Sequence, residues 1–106
     1  MVTLEEFKKL DLRVATVRSV KDHPNADKLY LLTVDLGDET REIVAGIKPH
    51  YRAEELTGKS VIVVCNLEPA LIRGVESRGM LLAAKDDRVL GILTLDRDIR
   101  PGSRVS

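Results

Sequence analysis

The sequence predicts an all-β domain, a small five-stranded Greek-key barrel with a short N-terminal helix, one helix inserted after the third strand, and a C-terminal strand extension. Three observations predict it. Apolar residues recur with period two in several short runs, turn residues separate those runs, and helix signals occur in only two places. The 106 residues suffice for one domain, 1–106, with a real core, and no repeat, low-complexity stretch or linker divides them.

Thr3-Leu-Glu-Glu6 has the capping-box spacing, and Leu4, Phe7 and Leu10 form one apolar face, so a short helix is expected over Leu4 to Lys9. Leu12 to Val20 alternates with apolar groups on both faces, which predicts a strand covered in part on each side, as in a closed barrel. After the corner Asp22-His-Pro-Asn25, a second strand runs from Lys28 to Leu36. Gly37-Asp38 turns it into a third, Arg41 to Ile47, making a hairpin. Pro49 opens a helical stretch through Leu56, with Gly58 as its C-terminal cap. The fourth strand is Ser60 to Cys65. A loop from Asn66 to Arg78 leads to the fifth strand, Met80 to Ala84, and Asp86-Asp87 turns the chain into a sixth apolar run, Val89 to Leu95. This count and order describe a barrel of the oligonucleotide/oligosaccharide-binding type, the OB-fold.

Composition excludes several kinds of chemistry. Lys+Arg and Asp+Glu both total 17, so any affinity for nucleic acid has to come from a local arrangement of charge. Cys65 is the only cysteine and lies in an apolar run, so it reads as a buried thiol in a reducing compartment. Neither a signal peptide nor a membrane span is visible, and a cytoplasmic protein is expected. His23, His50 and Cys65 lack zinc-ligand spacing, and no aspartate series resembles a calcium loop, so no metal site and no cofactor are expected. Ser77 misses the G-x-S-x-G elbow, and no glycine-rich loop cradles a phosphate. A small hydrolase centred on Ser77 is the least supported reading, and no catalytic residue is assigned.

Two loops remain. HPNADKLY, from His23, and NLEPALIRGVESRGM, from Asn66, each carry a proline corner and at least one cation into an apolar strand. Together with DLRVATV, the VDLG turn and RGVESRGMLLAA, these blocks resemble the tRNA-binding domain family. That family comprises free-standing dimeric tRNA-binding proteins, the C-terminal domains of bacterial methionyl-tRNA synthetases, and a module of the phenylalanyl-tRNA synthetase beta chain. The resemblance implies the same barrel and a homodimer formed through the C-terminal strands. It also implies no enzymatic activity, and binding to the outer corner of folded tRNA with little preference for species. Carried over by position, Lys28, Arg73, Ser77 and Met80 are the implied RNA contacts, with Asn25, Asn66 and Arg78 beside them.

Each of these residues has a plainer reading. Asp27 and Lys28 could form a solvated ion pair, Asn25 could bond its own turn, and Met80 could fill the core at a strand start. The chain departs from the family pattern at Glu68 and Leu71, where relatives often carry lysine, which removes phosphate contacts. Independently of the resemblance, only three aromatics, Phe7, Tyr30 and Tyr51, are present, so recognition of a structured backbone by shape is favoured over base stacking. Two functions stay open. One is a tRNA-binding protein acting alone or as an accessory to an aminoacyl-tRNA synthetase, methionyl first. The other is a protein-interaction module joining a synthetase complex. The Val89 to Leu95 run either pairs with a second chain or folds back on its own barrel.

Overall fold

The computed structural model describes all residues, Met1–Ser106. Helix α1, Leu4–Lys8, starts at the expected capping box: Thr3 Oγ1 accepts from the Glu6 N–H at 3.1 Å, and the Thr3 N–H donates to Glu6 Oε1 at 3.2 Å. None of its residues is buried.

The barrel is built on β1, Leu12–Asp22, the longest strand. Its first half pairs antiparallel with β4, Ser60–Val64, and its second half with β2, Tyr30–Asp35. Ala15 and Val17 point into the core, while Leu12 and Val14 are also buried, which accounts for the apolar residues on both faces. β2 pairs with β3, Thr40–Ala45, as a hairpin closed at Gly37. The sheet order is β3-β2-β1-β4-β7, where β7 is the two-residue strand Met80–Leu81. The ends of this sheet meet at a seam: the Ser77 Oγ accepts from the Val44 N–H at 2.9 Å, and the Arg78 N–H donates to Glu42 O at 3.0 Å. Gly79 lies in that seam with φ 138°, and a Cβ there would stand 3.0 Å from Val63 Cγ1 and 3.2 Å from Val64 O. Leu32, Val34, Leu36, Ile43, Leu56, Val61 and Val63 fill the interior. No helix is long and apolar enough to cross a membrane.

Three expectations need correction. The segment 66–78 is not a plain loop, because it holds a hairpin of β5, Ala70–Ile72, and β6, Val75–Ser77. The expected fifth strand divides at Leu82, whose N–H donates to Ile62 O while its carbonyl accepts from the Leu93 N–H. The chain there changes partner, and Ala83–Lys85 continues as β8, paired with β9, Leu90–Ile92. The inserted helix, α2, is only Ala53–Leu56, because His50 and Tyr51 N–H groups both bond Ile47 O in a turn before it. The tail, for which no element was expected, forms a strand, β10, Arg104–Val105, that pairs with the start of β1.

The sixth apolar run folds back on its own barrel. Leu90 and Ile92 pack against the core, and the Ile92 N–H donates to the Tyr51 hydroxyl at 3.1 Å. Val89 and Leu93 remain exposed.

Candidate nucleic-acid interface

The proline corner begins where β1 ends. The His23 N–H donates to Leu29 O at 3.1 Å, so residues 23–29 form a closed loop that delivers the chain to Tyr30 and β2. Pro24 has no N–H to spend in a strand ladder and holds the bend. Lys28 stands exposed on this loop.

The β5–β6 hairpin turns at Arg73-Gly74, with φ 51° and 88°. Positive φ at both central residues is the type I′ signature, which twists with the strands. Glycine takes this conformation freely, whereas arginine is strained there by about 1 kcal/mol or more. Arg73 is the only non-glycine residue with positive φ. Backbone strain of that kind clusters at functional sites.

Loop and hairpin tip are fastened together. Asn25 Nδ2 donates to Arg73 O at 3.1 Å, and Arg73 Nη2 donates to Asn25 O at 3.2 Å. Beneath them the His23 ring contacts Ile72 O through Nε2 at 3.0 Å. The result is one concavity of about 380 Å³, lined by Ala26, Asp27, Lys28, Leu29 and Arg73. Neither Lys28 nor Arg73 belongs to any of the chain's ion pairs, so the plain pairing of Lys28 with Asp27 is not formed. Asp27 shares the concavity and offsets part of its charge. Arg73 uses one guanidinium donor on Asn25, and its others have no protein partner.

The remaining candidates go elsewhere. Ser77 is 3% exposed and its hydroxyl is committed to Val44 N and Gly79 O, so it stitches the barrel seam and presents nothing to solvent. Asn66 lies at the other end of β1, where Oδ1 accepts from the Asp11 N–H at 2.8 Å and Nδ2 donates to Lys9 O at 2.6 Å. Its amide locks α1 to β4 and is distant in the fold from the Lys28 loop. Met80 is half exposed at the start of β7, beside Val64 rather than in the concavity. Arg78 is exposed next to Glu42 and contributes to the field that lowers the Glu39 carboxyl, although the larger cause there is the Arg41 guanidinium bonded to Glu39. Asn25 lies in the turn, as its plain reading had it, but its side-chain amide bonds Arg73 O on the other loop and not its own backbone. His23 was missed as a participant. Its only signal in the sequence is its place beside Pro24 in a corner that needs a fastening.

None of the aromatics lines the concavity. Tyr30 is buried, Tyr51 packs against the core with its hydroxyl oxygen accepting from the Ile92 N–H, and Phe7 belongs to α1.

The chain is similar to known proteins along its whole length. The family model described as "Putative tRNA binding domain" matches residues 12–104. A methionine–tRNA ligase of Pyrococcus horikoshii is 56% identical over 104 residues, which are 98% of this chain and 14% of the relative. A methionine–tRNA ligase of Thermotoga maritima is 53% identical over 105 residues, 99% of this chain and 17% of the relative. The chain thus spans less than a fifth of these relatives. Among solved structures, a methionyl-tRNA-synthetase-related protein of Pyrococcus horikoshii superposes with a TM-score of 0.93 at 36% identity, covering 100% of this chain and 98% of that one. The chaperone CsaA of Bacillus anthracis superposes with 0.92 at 26% identity, covering 100% and 99%.

Proposed function

The chain belongs to the tRNA-binding domain family, and from that premise we propose that it binds folded tRNA at its outer corner through the Lys28–Arg73 concavity, by shape and largely without regard to sequence. The observation that carries this reading is the meeting of two unpaired cations from separate loops in a chain whose formal charge is zero. Phosphates are the ligands such a pair suits, since contacts to them fix position without reading bases. The absence of rings from the concavity agrees with recognition of a folded backbone. Arg78 and Met80 extend the contact set along the hairpin's flank, and Asn25 orients Arg73 from behind. The barrel contributes no chemical step and needs no cofactor. Gel shifts at low salt with folded tRNA, heat-denatured tRNA and single-stranded RNA test it. Folded tRNA is expected to bind best, and Lys28→Ala and Arg73→Ala are each expected to weaken it several-fold. Unchanged binding in both variants refutes the reading.

The similarity to methionine–tRNA ligases supports a role as a tRNA-holding accessory to an aminoacyl-tRNA synthetase, methionyl first. In the same reading the protein acts as a homodimer through its C-terminal strands. β8 is hydrogen-bonded on one side only, and Val89 and Leu93 are exposed beside it. Pairing would present two concavities to one ligand and raise its affinity. Sedimentation across a hundredfold range of concentration checks this, and a constant monomer counts against it.

A second reading, a module that joins a synthetase complex through protein contacts, is favoured by α1. Val2, Leu4, Phe7 and Leu10 leave an apolar surface there that the barrel does not cover. Leu4→Glu would abolish recovery of a synthetase partner in this case while leaving tRNA binding intact.

A further inference from the structure

The two cations lie on different loops, and the bonds between Asn25 and Arg73 are exposed, so each contributes little by itself. What lies underneath differs in kind. His23 is 5% exposed, and with Ser77 it is one of only two buried polar side chains. The Asn25 backbone N–H can only donate, and it meets the ring's Nδ1 at 2.9 Å. The Ile72 carbonyl can only accept, and it meets Nε2 at 3.0 Å. The partners therefore fix one tautomer, a neutral ring with its proton on Nε2. In that form His23 ties its own corner through Nδ1 and reaches across 49 positions of sequence to the hairpin through Nε2. Ile72 is the residue before Arg73, so this bond sets where the strained tip stands relative to Lys28.

We propose that His23 is a positioning residue for RNA binding: its cross-loop bond holds Arg73 and Lys28 at one spacing before the ligand arrives, so binding does not have to order two loops. This rests on the tRNA-binding reading above. Phosphate recognition at two points depends on a fixed distance between the cations, and a tip free to swing would pay for its ordering in each binding event.

Amide side chains can separate the ring's two bonds. His23→Gln keeps a donor near the Nε2 position, whereas His23→Asn keeps an acceptor near the Nδ1 position and loses the reach to Ile72. Affinity for a folded tRNA transcript is measured by filter binding at one low salt concentration, beside the melting temperature of each variant. His23→Asn and His23→Ala are expected to weaken binding about fivefold, and His23→Gln to stay within about twofold of the parent. In an Arg73→Ala background, His23→Asn is expected to cost nothing further, because the cation it positions is gone. A merely structural histidine would lower affinity by the same factor in both backgrounds, and that result overturns the proposal, as does a His23→Gln variant no better than His23→Asn. If Arg73→Ala alone leaves affinity unchanged, the positioning proposal falls; if Lys28→Ala does so as well, it is the tRNA-binding reading that fails.

Discussion

Ser77 and Lys28 show how one local pattern can hold opposite roles. Both come from short polar stretches next to apolar strands, and both match the family motif, yet one faces the barrel seam and the other faces solvent. A hydroxyl that accepts from Val44 N–H and donates to Gly79 O closes the gap between β3 and the hairpin. Ser77→Ala leaves a buried backbone N–H without a partner, which costs about 1–3 kcal/mol. Denaturant unfolding is expected to show that loss, while the folded variant binds tRNA with nearly the parent's affinity. A large drop in affinity with stability untouched would return Ser77 to the RNA face. That Lys28, Arg73 and Asn25 lie on two proline-cornered loops was legible in the sequence, whereas the meeting of those loops shows only in the fold. Ser77 and Asn66 were not, since their partners lie 33 and 55 residues away in sequence, and small polar groups carry no mark of burial.

At the scale of elements, the strands with strong alternation and the two with turn glycines were read correctly in order. Among the strands the failures share one feature, a length of two or three residues, which leaves too little alternation to read. The β5–β6 hairpin has an arginine where asparagine or aspartate usually announces the turn, and β10 is two residues long. The tail is nevertheless firmly placed. The Gly102 N–H donates to Val14 O at 2.7 Å, and the Val14 N–H donates to Ser103 O at 2.9 Å. Gly102 adopts φ +90°, and a Cβ there would stand 2.2 Å from Leu36 O, a backbone atom that cannot swing aside. Gly102→Ala is therefore expected to lift the tail off β1 and the β2–β3 turn, at a cost above about 1 kcal/mol. Amide exchange should rise first at Val14 and at position 102, whose N–H groups join the tail to β1, with the Lys28 loop still protected. Uniform exchange throughout the chain would mean that the tail is not a separate unit.

Across the whole molecule, equal numbers of acids and bases make stability and binding respond to solution conditions through different groups. Asp35 is held below its ordinary range by its bond from Arg18 and then by the Gly37 N–H, and Asp86 by the Val89 and Arg88 N–H groups. Glu55 is lowered chiefly by the Arg52 N–H, and Glu39 by Arg41. A carboxyl lowered on folding stabilises the native state above its unfolded value, near pH 4, and loses that contribution as pH falls through the folded value. The melting temperature should thus hold from pH 7 to about 5 and drop below about 4, less steeply in Asp35→Asn. A melting temperature that rises on acidification contradicts the assignment.

Salt acts on the other set of charges. With no global basic field, the proposed reading puts tRNA affinity on the phosphates met by Lys28, Arg73 and Arg78, and each contact releases about 0.7–0.9 of a counterion. One copy should give a slope of log affinity against log salt between about −2 and −3, two copies on one ligand between about −4 and −5.5, and Lys28→Ala should flatten it by about 0.7–0.9 per copy. Because the slope counts contacts without regard to their strength, it separates a small cationic spot from a diffuse one. A value steeper than about −6 would place the RNA on cations other than these three.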